Sequence, residues 1–142
     1  MGRRAAREVA MKLLYQLEIQ KDDREVQINT ALEENAVPKT EKQYVLDVVH
    51  GVFNNISTID SIIEKHSKGW KIGRISKVDL SILRLGIYEI GYRDDIPYNV
   101  SVNEAVELAK KYSNEDAGSF VNGILSKVNK ARVPALENPT EL

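Results

Sequence analysis

The 142-residue chain contains no cysteine. That absence removes disulfides, thiolate zinc sites and a cysteine nucleophile together. Long apolar runs are missing as well. No stretch approaches the ~18 continuous apolar residues that a membrane span requires, and the basic residues near the start are not followed by the apolar core of a signal peptide. A cytoplasmic protein is expected. Neither a Walker loop nor a G-x-G-x-x-G run is present, so phosphate-cradling glycine loops are excluded. Strand signals are scarce: there is no extended period-two run, and Asn122-Gly123 falls inside a helical stripe rather than between β-branched stretches. A surplus of one charge is also lacking. Lys and Arg number 20 against 21 Asp and Glu, for a net charge of −1. Any binding to nucleic acid must therefore rest on a local patch.

What the chain does have is helical periodicity along nearly its whole length. Ala6, Val9, Ala10, Leu13, Leu14 and Leu17 recur in steps of three and four, one stripe of a first helix. A weaker helix is expected from Val26 to Glu34, closed by Pro38. Thr40 to Gln43 reads as a capping box, in which the Thr40 oxygen and the Gln43 side chain satisfy exposed amides. Tyr44, Val45, Val48, Val49, Val52 and Phe53 follow, and Ser57 is placed to cap a helix carrying Ile59, Ile62 and Ile63. Gly69 and Gly73 bracket Trp70 in a connection. The segment from Ile75 to Tyr92 is apolar on more than one side, the mark of a helix buried between others. Ser101 to Glu104 reads as a second capping box, and Val121, Ile124, Leu125 and Val128 form a last stripe. The expectation is an all-α bundle of six to seven helices, with counts that fit two packed three-helix halves. One domain covers 1–132, and Pro134 and Pro139 mark 133–142 as a flexible tail.

The candidate chemistry is sparse. Arg3, Arg4 and Arg7 occupy the first turns of the first helix, where cations oppose the helix dipole at ~0.3–1 kcal/mol each when exposed. They read either as a phosphate-binding patch of guanidinium forks or as a solvated, frayed start. His50 and His66 have no partner spacing for catalysis or metal binding. Asp94-Asp95 reads as a turn, and Glu115-Asp116 as the acidic start of the last helix. Phe120 is either a core anchor or a platform on which a nucleobase stacks. Tyr15 and Asp79 stand where a polar tip could meet a partner. No catalytic site, metal site or cofactor is expected.

Four segments together resemble the NusB family: Arg3-Arg4-Ala5-Ala6-Arg7-Glu8 with Leu14-Tyr15 behind it; Leu83 to Ile90; Pro97 to Ala105; and Phe120 to Leu125. They occur in family order and at family distances. The resemblance implies an all-helical domain of two three-helix bundles. It implies a transcription antitermination factor that pairs with NusE, a ribosomal small-subunit protein. The pair would bind the boxA element of nascent RNA, notably ribosomal RNA leaders, and help RNA polymerase read through terminators. By the same resemblance, Arg3, Arg4 and Arg7 form the RNA-contacting segment, Asp116 and Phe120 lie near the RNA surface, and Tyr15 and Asp79 face NusE. Asn103 and Asn122 lie within these motifs, and packing and backbone hydrogen bonds are expected of both, with Gly123 admitting a neighbouring helix closely. Two readings compete: an RNA-binding accessory domain like that of some ribosomal RNA methyltransferases, and a helical protein-binding adaptor.

Overall fold

Each expected helix forms, although Ile75 and Val128 lie just outside the helices expected to contain them, and the computed structural model describes residues 1–128 of the chain. The helices are α1 (Arg3–Ile19), α2 (Arg24–Glu34), α3 (Lys39–Asn54), α4 (Ile56–His66), α5 (Lys77–Tyr92), α6 (Tyr98–Tyr112) and α7 (Glu115–Leu125), with a short 3₁₀ turn at Ile72–Arg74. No strand occurs among the described residues. The expected tail at 133–142 lies outside them.

α5 is the centre of the fold. Every residue from Leu80 to Ile90 is buried. It packs against α1, α3, α4, α6 and α7, which is why it had to be apolar on every side. α1 packs on α2 and α3, while α6 and α7 pack on each other and on α5. The contacts of α5 with α1 and α3 join these two groups of three, and α4 lies against α3 and α5. All six residues of the first stripe are buried. Two glycines let α5 approach its neighbours. A Cβ on Gly51 would sit 2.2 Å from the Tyr88 ring, and one on Gly86 would sit 2.8 Å from the Leu125 side chain.

Helix starts depart from expectation in three places. Thr40, Ser57 and Ser101 cap nothing, because their helices begin earlier: α3 and α6 start after Pro38 and Pro97, and α4 after Asn55. Proline holds φ near the helical value and loses no needed donor at a helix start. The Pro38 carbonyl accepts from the amides of Glu41 and Lys42, and that of Pro97 from Val100 and Ser101. Ser101 is thereby turned inward, into the core. Side-chain caps do occur at Asp23, Ser76 and Asn114, each accepting from the amide three residues on.

Buried ion pairs fix the register of α1. Arg84 on α5 donates to Asp60 of α4 at 2.8 and 2.9 Å and also to Glu18 of α1. Arg7 of α1 donates to Glu89 of α5. Early α1 thus meets late α5 and late α1 meets earlier α5, so the two helices run antiparallel.

Candidate nucleic-acid interface

α1 begins without a side-chain cap and without an acidic residue in its first turn. Its three arginines are neither frayed nor simply solvated, because each is tied to a carboxylate from another helix. Arg3 Nε donates to Glu41 of α3 at 2.7 Å, and its guanidinium lies 4.3 Å from the Tyr44 ring centre. Arg4 clasps Glu104 of α6 through Nε and Nη2 at 3.0 and 2.7 Å. Its bond to Glu104 pushes the Arg4 pKa up, and the same bond holds the Glu104 carboxyl below the usual carboxylate range. Arg7 donates to Glu89 at 2.8 and 3.4 Å and to Glu104 at 3.2 Å.

The three arginines are therefore not equivalent. Their side chains are 35%, 78% and 4% exposed in chain order. Arg4 presents a guanidinium edge to solvent, Arg3 is half covered, and Arg7 belongs to the core. Glu89, fully buried, also accepts hydrogen bonds from the hydroxyls of Tyr44 and Ser101. Burial is the largest single influence and opposes the Arg7 charge, yet the bond to Glu89 and the charges around it together outweigh burial, and the guanidinium pKa is raised. Burial, together with Glu89, pushes the Tyr44 hydroxyl up, so it serves as a donor. A buried charge needs this degree of pairing. Arg7 borders a hollow with Arg4 and Lys111, but its guanidinium nitrogens are committed to Glu89 and Glu104.

The other expected residues fall elsewhere. Asp79, Asp116 and Phe120 line one hollow of about 250 Å³ together with Trp70 and Arg74. Residues thought to face different partners, Asp79 on one hand and Asp116 and Phe120 on the other, thus share a single recess. Asp79 Oδ1 is buried there without a hydrogen-bond partner. Phe120 is only partly buried, packed against the core on one side. Tyr15 does not reach this recess and stands exposed on α1. Ten residues separate Asp79 from Glu89 on α5, about 15 Å of helix rise, so the recess and the Arg7 cluster lie toward opposite ends of that helix.

Asn103 and Asn122 overturn the packing expected of them. Both are exposed, and neither side chain makes a hydrogen bond among the described residues. Gly123 likewise admits no neighbouring helix, since a Cβ built there meets nothing within 4 Å.

Sequence reasoning passed over the connection between α4 and α5. From Lys65 to Lys77 there are five cations, namely Lys65, Lys68, Lys71, Arg74 and Lys77, and no Asp or Glu. Only Lys77 among them makes an ion pair with a described residue, at 4.0 Å from Glu18. Trp70 stands in the middle, 51% exposed. The turn that presents it is well anchored. Ser67 Oγ donates to the Trp70 carbonyl at 2.5 Å, the Trp70 amide donates to the Ser67 carbonyl, and Glu64 accepts from the Ile72 amide at 2.9 Å. Lys68 adopts a φ of +51° and Gly69 one of +91°. The left-handed conformation costs a lysine ~1–2 kcal/mol where glycine would be free. The signal was legible: a basic run with an aromatic inside it.

The family model described as the NusB family matches residues 4–130. The chain is 63% identical over 142 residues to the transcription antitermination protein NusB of Ruminiclostridium cellulolyticum, covering all of this chain and 98% of that protein. Among solved structures, it is similar to T. maritima NusB with a TM-score of 0.86, 36% identity, and coverage of 100% and 99% of the two chains. A chain in a crystal structure of the antitermination factors NusB and NusE in complex with dsRNA superimposes with a TM-score of 0.82 at 34% identity, covering 91% of this chain and 96% of that one.

Proposed function

The chain belongs to the NusB family, and from that premise we propose that it is a transcription antitermination factor that binds boxA RNA of ribosomal RNA leaders together with NusE. The activity is recognition, with no chemical step. Bound jointly, the two proteins let RNA polymerase read through terminators. The working place is the cytoplasm, and no helix of the described residues is long and apolar enough to cross a membrane.

The observation that carries the RNA reading is the open guanidinium edge of Arg4, with the partly exposed Arg3 next to it in the chain, at the leading end of α1. Guanidinium forks pair with phosphate oxygens in the way they now pair with Glu104 and Glu41. RNA binding exchanges those carboxylates for phosphates. Arg7 acts through position: locked on Glu89, it holds Glu104 in place. Phe120 offers a ring face to a base, and Asp116 borders it. Tyr15 and Asp79 face NusE. The unpartnered Asp79 oxygen is an acceptor awaiting a donor, which a protein partner supplies. Because the exposed arginines are largely neutralised within the chain, the protein alone binds RNA weakly, and a composite surface with NusE shares the phosphate contacts.

The test is a titration of single-stranded boxA RNA against the protein with and without NusE, across salt concentrations. Replacing Arg3 and Arg4 by Ala should weaken binding. If each contacts one phosphate, it should also reduce the slope of log K against log salt by about 1.4, at ~0.7 per phosphate on a single strand. Unchanged affinity and slope would assign those arginines to structure alone.

A further inference from the structure

Trp70 and Phe120 form a wall between two hollows, one on each side of them. The first contains Asp79 and Asp116. The second, about 320 Å³, is lined by Lys68, Ser119, Gly123 and Lys127 besides the two aromatics, and no carboxylate lines it. The wall therefore divides an acidic recess from a basic one.

We propose that the basic hollow seats a segment of single-stranded RNA, with a base against Trp70 and Phe120 and the flanking phosphates on Lys68, Lys71 and Lys127. This rests on the RNA-binding reading above and adds a second contact region, remote from the arginines. Three independent features point to a polyanion that carries flat rings. Lys68, Lys71 and Lys127 are exposed and make no ion pair with a described residue, so their charge meets an incoming phosphate undiminished. Exposed aromatic faces beside unpaired cations are the pattern by which single strands are held, ring on base and cation on backbone. Gly123, third, sits in the interior of α7 where glycine weakens a helix. No packing requires it, but its missing side chain keeps the floor of the hollow open. The left-handed Lys68 fits the same picture, since a strained backbone at an exposed turn is kept where it aims a side chain.

The chain's single tryptophan makes the test direct. Emission from Trp70 is followed while boxA RNA is added to the complex of the full chain with NusE, and anisotropy of a labelled RNA reports binding in parallel. Quenching that tracks RNA binding, beyond any change caused by NusE alone, is expected. Trp70→Leu should weaken RNA binding roughly 5- to 150-fold, the worth of one stacked base. Replacing Lys68 and Lys127 by Ala should reduce the salt slope by about 1.4. Gly123→Leu, which fills the hollow without touching the core, should weaken binding while far-ultraviolet circular dichroism stays native. RNA that binds without altering Trp70 emission overturns the proposal. So does an emission change complete on adding NusE and unmoved by RNA, which gives the hollow to the protein partner. If the arginine variant loses RNA and the Trp70, lysine and Gly123 variants do not, this inference fails and the antitermination reading stands. If the wild-type complex binds no RNA at all, both fall.

Discussion

Two cationic regions of this molecule are built on opposite principles. At the start of α1, each arginine meets a glutamate from another helix, and one is sealed in the core. In the connection from α4 to α5, four of five cations meet no carboxylate among the described residues. Counting charges along the chain makes the first region look like the binding patch and the second like a loop. Geometry reverses that ranking. A paired arginine offers a phosphate only the difference between two similar contacts, whereas an unpaired lysine offers its whole field. The α1 arginines can still choose RNA over glutamate, but that exchange sets their contribution. They also hold the bundle together, which the lysines do not.

That contrast can be broken most severely at Arg7. Truncating it to Ala leaves Glu89 buried and charged among Tyr44 and Ser101. The expected cost is about 3–5 kcal/mol of folding stability, read from urea unfolding. The same truncation at Lys68 should change stability by no more than about 0.5 kcal/mol. Equal losses at the two sites would erase the distinction between a structural and a free cation.

Glu104→Gln sharpens the contrast from the other side. Removing the carboxylate that holds Arg4 should turn a paired arginine into a free one. Affinity for boxA RNA should rise roughly 1.5- to 5-fold, in line with the worth of an exposed ion pair. Weaker binding would mean that Glu104 aims Arg4 at the RNA rather than competing with it.

The smallest effect expected is on the acid limb of stability. Bonding from Arg4, against some opposition from burial, lowers the Glu104 pKa in the folded chain. At Glu8, burial raises the pKa, but bonds from Lys111 and Tyr112 outweigh it and the net direction is down. A depressed carboxyl contributes stability that is complete above its unfolded value and is lost as pH falls through the folded one. Glu104→Gln should therefore be less stable than wild type near neutrality. The gap should close as pH drops below the ordinary carboxylate range of ~4–4.5. A gap independent of pH would show that the ion pair is not its source.

Much of the fold was legible because burial follows period. The stripe of α1 and the all-round apolar character of α5 follow from side-chain spacing, and both are buried as expected. Helix starts were less legible. Thr40 and Ser101 have the right residue types for caps, but Pro38 and Pro97 begin the helices first. Of the candidate site, the sequence singled out Phe120, Asp116 and Asp79, but not that they line one recess with Trp70. Asn103, Asn122 and Gly123 looked like packing residues inside apolar motifs, yet they face outward. A motif specifies which residues occur together, not which side of the helix meets the core.

The amino-acid order alone determined the helices, their buried stripes and the family, because these depend on local spacing and on residue types in register. Tertiary structure decided which charges are available. Glu41, Glu89 and Glu104 lie far from the arginines in sequence, and only the antiparallel packing of α1 on α5, with α3 and α6 alongside, brings them into contact. Whether a cation is free is a property of its neighbours in space, and distance along the chain does not contain it.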